Sequence, residues 1–115
     1  MALWNLKNAS YLGLRSYPRC LNLRYEDLLT SPEATIVRIR DQFSLRARAK
    51  QFDNVEKSTK EPGKDFTYYR DYYLNERWRQ ELSAEAVRLI NERLDASVAR
   101  ALGYEILAAD SIAAT

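Results

Sequence analysis

The chain has 115 residues, enough for one domain with a core of its own but too few for two. Hydrophobic residues make up 46% and charged residues 30%, which is typical of a globular protein, and a net charge of +2 is too small to indicate nucleic-acid binding by charge alone. The absence of histidine excludes a histidine-based acid, base or metal site, and the single cysteine excludes an intrachain disulfide.

The lengths of the hydrophobic runs indicate whether the chain spans a membrane or carries a signal peptide. None approaches the roughly 20 apolar residues of a membrane span, so we expect no span. The N-terminus has no signal-peptide core, which predicts a cytoplasmic protein. Cys20 lies in an apolar stretch and is predicted to be a small buried residue.

The first half of the chain predicts helix, strand and helix. Residues 2–15 carry apolar side chains at helical spacing, and Pro18 follows as a stop signal. Residues 20–25 alternate apolar and polar side chains with period two, which predicts a strand. Thr30 and Glu33 have the spacing of a capping box at the start of the next helix.

That next helix has further start signals and an apolar stripe. Ser31 is a suitable N-cap, and Pro32 then falls at the first helical position. The predicted stripe consists of Ile36, Ile39 and Phe43.

The second half begins with a polar stretch, residues 46–64, predicted to be a long loop around Pro62-Gly63. An aromatic and arginine-rich segment follows over 65–82, and its Phe66, Tyr69 and Tyr73 share one helical face. Two capped helices and a frayed tail complete the prediction. The signals are Ser83 and Asp95 at helix starts, Gly103 at a helix end, and residues 106–115 as the tail.

A lone strand over 20–25 poses a physical problem, because both of its edges expose backbone donors and acceptors without partners. Three interpretations remain open. The chain is the last portion of a larger α/β domain, or the strand pairs with another chain, or the stretch is not a strand.

Residues 24–28 (Arg-Tyr-Glu-Asp-Leu), residues 32–34 (Pro-Glu-Ala) and a helix ending in Phe-Ser-Leu at 43–45 resemble the sulfotransferase family. These enzymes transfer a sulfuryl group from 3'-phosphoadenosine 5'-phosphosulfate (PAPS) to a hydroxyl or amine acceptor. The resemblance continues through the aromatic segment and the last helices, and covers roughly residues 4–105. The later segments are 66–73 with Trp78, 82–85, 90–94 and 102–104.

This resemblance implies an α/β, P-loop-like sulfotransferase fold. Residues 1–105 would be the C-terminal portion of an incomplete domain, mostly α with one strand or a minimal sheet. It also implies a nucleotide site for PAPS or its product, adenosine 3',5'-bisphosphate, with Tyr25 near the adenine. The loop residues implied near the 3'-phosphate are Lys57, Ser58, Lys60, Gly63 and Lys64.

The sequence departs from the family in its phosphate-binding parts. Its glycines lie only at positions 13, 63 and 103, so it carries no glycine-rich phosphate loop. We expect that loop, the Arg/Ser block for the 3'-phosphate and the catalytic base to lie before residue 1. No catalytic or metal-binding residue is therefore assigned, Glu26 and Asp27 are interpreted as structural, and the chain alone is predicted to be inactive. The expected partner is the missing N-terminal portion or a second chain that completes the sheet.

Two other functions stay open. One is a non-catalytic helical interaction module, in which the aromatic and arginine residues of 66–79 form a binding surface. The simpler interpretation of that segment places its aromatic face in the core and its arginines at the rim. The other is a decaying gene fragment without activity.

Overall fold

The computed structural model describes residues 1–48 and 61–112, and most of these residues are helical, as predicted. Within them, six α-helices are joined by irregular segments and three short 3-10 helices. The α-helices are α1 (Ala2–Gly13), α2 (Tyr25–Thr30), α3 (Pro32–Phe43), α4 (Phe66–Leu74), α5 (Ala84–Arg93) and α6 (Ala96–Ala101). The 3-10 helices are Leu14–Ser16, Arg77–Glu81 and Ala109–Ser111.

Two compact units divide the described residues. The first unit combines Met1–Asn22 with the described residues from Trp78 onward. The second unit consists of the described residues between Leu23 and Arg77. The first unit is thus built from two widely separated stretches of chain.

The strand predicted over residues 20–25 is wrong. Residues 20–24 are irregular, and Tyr25 is already the first residue of α2. The physical reason is a competing pattern, because Tyr25, Leu28 and Leu29 lie at helical spacing and the helix buries Leu29 to 1% exposure. Among residues 1–48 and 61–112 there is no strand or sheet, so the expected α/β class has no support in this part of the chain.

The start of α3 confirms one helix signal and corrects another. Ser31 is the N-cap and Pro32 the first helical residue, as predicted, but the Ser31 side chain makes no capping hydrogen bond. The predicted capping box does not form, because Thr30 ends α2 and its Oγ1 donates to the carbonyl oxygen of Glu26 at 2.8 Å. Thr30 is the last residue of α2 and Ser31 is the N-cap of α3, so the Thr30 hydroxyl makes the bond to the carbonyl oxygen four residues earlier that is common for threonine in helices.

The serine caps of α3 and α5 differ in a way that a substitution can measure. The Ser83 Oγ accepts a hydrogen bond from the backbone N–H of Ala86 at 3.1 Å. We expect Ser83→Ala to lower the free energy of unfolding by about 0.5–2 kcal/mol, the usual range for loss of a serine cap. Ser31→Ala, which removes no capping bond, is the matched control and should cost clearly less in a urea titration. Equal losses of unfolding free energy in the two variants would contradict the assignment of a side-chain cap to Ser83 and not to Ser31.

Side-chain hydrogen bonds join α1 to the last helices in the first unit. The Asn5 Nδ2 donates to the carbonyl oxygen of Arg93 at 2.8 Å, and the backbone N–H of Asp95 donates to Asn5 Oδ1 at 3.0 Å. Near the other end of α1, the Arg15 guanidinium donates to the carbonyl oxygen of Ala101 at 2.8 Å. Both ends of α1 are therefore tied to residues near the ends of α5 and α6.

The core of the first unit is small and apolar. Its buried side chains are Val87, Val98, Ala99 and Ile112.

Cys20, predicted to be buried, is a half-buried free thiol. Residues 106–112 of the predicted tail include the 3-10 helix Ala109–Ser111, which packs against α5. Positions 113–115 lie outside the described residues.

Asp95 caps α6 as predicted. Its carboxylate accepts hydrogen bonds from the backbone N–H groups of Ser97 and Val98 at 3.0 and 3.2 Å. It also accepts one from the Ser97 hydroxyl at 2.6 Å. These bonds, the Ser97 hydroxyl first, lower the pKa of Asp95, because each favours the ionised carboxylate.

In the second unit, α2 packs against both α3 and α4. Leu29 is the buried centre of this packing, and Thr35 of α3 is buried with it. The predicted apolar stripe of α3 is not a buried face here, since Ile36 and Phe43 are 46% and 38% exposed. The helix turns its Thr35 side toward α2, where Thr35 Oγ1 lies 3.4 Å from the carbonyl oxygen of Asp27.

Candidate functional site

Five tyrosines form a connected cluster in the second unit, which we call the tyrosine cluster: Tyr25, Tyr68, Tyr69, Tyr72 and Tyr73. Four of them come from α4, where residues three or four positions apart lie on neighbouring turns. The rings of Tyr68 and Tyr72 are stacked, with centroids 6.1 Å apart and planes 14° apart. Tyr69 and Tyr73 then meet Tyr68 and Tyr72 edge to face, at 5.3 and 5.1 Å.

Tyr25 joins this cluster from the first residue of α2. Its ring packs edge to face on Tyr73, with centroids 5.2 Å apart and planes at 84°. Partial burial, followed by the neighbouring phenols of Tyr73 and Tyr69, raises the pKa of Tyr25. The side chain is therefore a neutral phenol at physiological pH, and 46% of the residue stays accessible to a ligand.

Lys64 lies at the opposite end of the cluster. Its ammonium nitrogen is 4.7 Å from the centre of the Tyr68 ring, a cation–π distance. The same group pairs with the Glu61 carboxylate, and that hydrogen bond is the main reason that the pKa of Lys64 is raised. Lys64 is consequently a full positive charge beside an aromatic surface.

Gly63 sets the turn that presents Lys64. Its φ of +80° lies in the left-handed region, where a side chain would be strained, although a Cβ there would meet no atom within 4 Å. Backbone conformation rather than space requires glycine at this position. The turn closes with the Lys64 N–H donating to the Glu61 carbonyl oxygen at 3.4 Å.

Several charged side chains around α4 have local partners. The Arg77 guanidinium lies 2.7 Å from an Asp71 carboxylate oxygen, and the other oxygen of Asp71 accepts from Asn75 at 2.7 Å. Asp65 is the N-cap of α4 and accepts from the backbone N–H of Tyr68 at 3.0 Å. The cluster can therefore bind a flat ring by stacking on the tyrosines, and it has the positive charge of Lys64 at one end.

Residues implied by the family resemblance fall into two groups. Tyr25 and Lys64, with Gly63 beside it, lie at the two ends of one series of contacts, which runs from Tyr25 through Tyr73, Tyr72 and Tyr68 to Lys64. Lys57, Ser58 and Lys60 lie outside the described residues.

Glu26 and Asp27 occupy the first turn of α2, where negative charge suits the helix dipole. A Glu26 carboxylate oxygen lies 3.7 Å from the Arg24 guanidinium. This placement accords with the structural role expected of both residues.

The sequence did not indicate that Tyr68 and Tyr72 stack within the cluster, because the simpler interpretation placed Phe66, Tyr69 and Tyr73 in the core. In the structure no residue of α4 is fully buried, and Tyr73 is 37% exposed. The spacing of Lys64, Tyr68 and Tyr72 at four-residue intervals was the available signal, since such residues stack along one helix face.

Within the described ranges, no group of acidic and cysteine side chains is arranged to hold a metal ion. None of the helices described is long and apolar enough to cross a membrane. Comparison of the chain with known protein families, with characterised proteins and with solved structures gives no match.

Proposed function

We propose that the chain is a sulfotransferase-like segment whose second unit binds the adenosine part of PAPS or adenosine 3',5'-bisphosphate. The observation that carries the proposal is the tyrosine cluster, which links Tyr25 to Lys64. The resemblance gives these two residues to opposite ends of one nucleotide, and they are 39 positions apart in the sequence. Their association in one cluster supports a common ligand.

Adenine is a suitable partner for exposed tyrosine rings. Nucleobases stack on aromatic side chains with a gain of about 1–3 kcal/mol per base. Tyr25 and Tyr73 leave 46% and 37% of their surface accessible, so ring area remains after their mutual contact. The proposed base position is therefore the Tyr25 end of the cluster.

Lys64 is the proposed contact for the phosphate end of the nucleotide. Its ion pair with Glu61 is solvent-exposed, and such pairs are weak because water screens them. A phosphate group carries more negative charge than a carboxylate and competes well for the same ammonium. Group transfer itself is not assigned to any residue of this chain, because the sequence has no glycine-rich phosphate loop.

Calorimetry with adenosine 3',5'-bisphosphate tests the proposal. We expect weak binding in the millimolar range by the whole chain. Tyr25→Ala should raise Kd by roughly 5- to 150-fold, the equivalent of one lost stacking contact. Tyr17→Ala is the matched control, because Tyr17 is exposed but belongs to the first unit. Absence of heat, or an equal loss in both variants, would refute nucleotide binding at the cluster.

Two further variants separate the phosphate from the base. Lys64→Gln should weaken binding of the bisphosphate but leave binding of adenosine unchanged. Glu61→Gln removes the competing carboxylate and should tighten binding of the bisphosphate. If both ligands respond alike to Lys64→Gln, the lysine does not contact a phosphate.

The alternative of an aromatic and arginine interaction module has less support. Arg77 is paired with Asp71, and Arg79 holds its guanidinium carbon 5.6 Å from the ring centre of its neighbour Trp78. Lys64 is the cation that lies over a tyrosine ring, at 4.7 Å from the centre of Tyr68, and this contact favours the nucleotide proposal.

A further inference from the structure

A cavity of about 220 Å³ lies inside the first unit, and its wall is almost wholly apolar. Three aromatic side chains contribute to the wall: Trp4 of α1, Trp78 and Tyr104. Aliphatic side chains, including the buried Val87 and Ala99, supply most of the remainder. An apolar cavity of about 150 Å³ accepts a benzene molecule, so this one has room for a compact organic group.

Apart from the aromatic residues, only two lining residues have polar side chains, Asn91 and Glu105. The Asn91 Nδ2 donates to the carbonyl oxygen of Leu107 at 2.7 Å, which engages the amide in holding the wall together. Glu105 is exposed and is the one lining residue with a formal charge. The cavity thus combines an apolar interior with a single negative charge.

This combination selects a particular kind of cation. A primary ammonium has three N–H donors that need acceptors, which an apolar wall does not provide. A quaternary ammonium has no donors and is covered by methyl groups, so it suits apolar walls. It is also attracted to aromatic faces and to a carboxylate.

We propose that this cavity binds a small quaternary ammonium compound of the choline type. The methyl groups would occupy the apolar interior, with Trp4 and Tyr104 as aromatic contacts and Glu105 as the counter-charge. Arg79 holds its guanidinium carbon 5.6 Å from the Trp78 ring centre, so the cationic end is assigned to the Glu105 side rather than to Trp78. This site lies in the first unit and does not depend on the proposed nucleotide site.

The chain offers a direct reporter, since its two tryptophans both line the cavity. Their two indole N–H signals in a proton–nitrogen correlation spectrum should shift and saturate when choline is added. The neutral carbon isostere of choline, dimethylbutanol, has the same shape without the charge. We expect choline to bind more tightly than this isostere by roughly 2- to 30-fold, the range expected of a cation–π contact.

Three variants test the assignment. Glu105→Gln should reduce the preference for choline over the isostere, because it removes the counter-charge and leaves the aromatic contacts in place. Ala99→Leu fills the cavity and should abolish both titrations, whereas Ala101→Leu places the same change at an exposed position of the same helix and should alter neither. Since Glu105 is exposed, its variant remains informative even if Ala99→Leu fails to fold.

Phosphocholine distinguishes the free cation from a phospholipid headgroup. Its phosphate is at the end opposite to the ammonium and would either enter the apolar interior or lie near Glu105, and both are unfavourable, so we expect weaker binding than for choline. Equal affinity for choline and its isostere, or unmoved indole signals well above millimolar choline, would overturn the proposal. Indole shifts that depend on protein concentration, with a doubled mass in light scattering, would identify a second copy as the occupant and would also overturn it.

Discussion

Replacing Leu29 with alanine is expected to lower the free energy of unfolding by about 2–5 kcal/mol. Leu29 is 1% exposed, and it lies in α2, which packs against both α3 and α4. The substitution removes buried methyl groups and leaves a cavity that neighbouring helices fill only in part. Domains of this size are stable by only about 5–15 kcal/mol, so the loss is a large share of the total. Urea denaturation, monitored by far-ultraviolet circular dichroism, measures this loss of unfolding free energy.

Leu45→Ala is the matched control for this substitution. Leu45 belongs to the same unit but is 54% exposed, so the same chemical change should cost less than about 0.5 kcal/mol. Equal losses in the two variants would mean that α2 does not bury Leu29 as described. The loss in Leu29→Ala should also weaken nucleotide binding, because α2 positions Tyr25.

The second large effect is expected at Asn5. Its side chain both donates to Arg93 and accepts from Asp95, two backbone groups at the junction between α5 and α6. Helix ends leave such groups without partners inside the helix. Asn5→Ala removes both hydrogen bonds and is expected to cost about 1–3 kcal/mol, at 0.5–1.5 kcal/mol for each bond. Tryptophan fluorescence follows the loss, because Trp4 and Trp78 both belong to the first unit.

Asn8→Ala provides the comparison on the same helix. The Asn8 Nδ2 donates only to the carbonyl oxygen of Trp4, one turn earlier in α1. That oxygen lies within the helix, so loss of the side-chain bond should cost less than about 0.5 kcal/mol. If Asn8→Ala destabilises the chain as much as Asn5→Ala, the long-range bonds of Asn5 contribute nothing specific.

Local signals in the sequence predict the helices of the first unit well. Residues 2–15 match α1 and the 3-10 turn after it, while Ser83 and Asp95 are the N-caps of α5 and α6. Gly103 follows α6 with a φ of +84°, the left-handed conformation that ends many helices. Each of these features depends on a few neighbouring residues, and this is why the sequence alone suffices.

Residues 20–25 show where local reasoning fails. Alternation over six residues is compatible with a strand, but the last of these residues also begins a helical pattern with Leu28 and Leu29. The choice between the two depends on what packs against the segment. In the structure α4 and α3 cover α2, and no strand within the described residues competes for the segment.

The candidate site was partly predictable for a similar reason. The resemblance indicates Tyr25, Gly63 and Lys64, but no local pattern indicates that Tyr25 meets the tyrosines of α4. That connection depends on the packing of α2 against α4, which brings Tyr25 onto Tyr73. The cavity beside Trp4 and Trp78 was beyond sequence reasoning, because its wall comes from both ends of the chain.

The two-part construction of the first unit has a consequence for synthesis on the ribosome. α1 is synthesised before its partner, because the Asp95 N–H that binds Asn5 follows 90 positions later. At about 5–20 residues per second, α1 waits roughly 5–20 seconds for this partner. During that interval the apolar side chains of Leu3 and Leu6, already 65% and 68% exposed in the folded chain, are accessible to any nascent-chain chaperone. The residues from Trp78 onward therefore complete a unit whose other part, Met1–Asn22, was synthesised earlier.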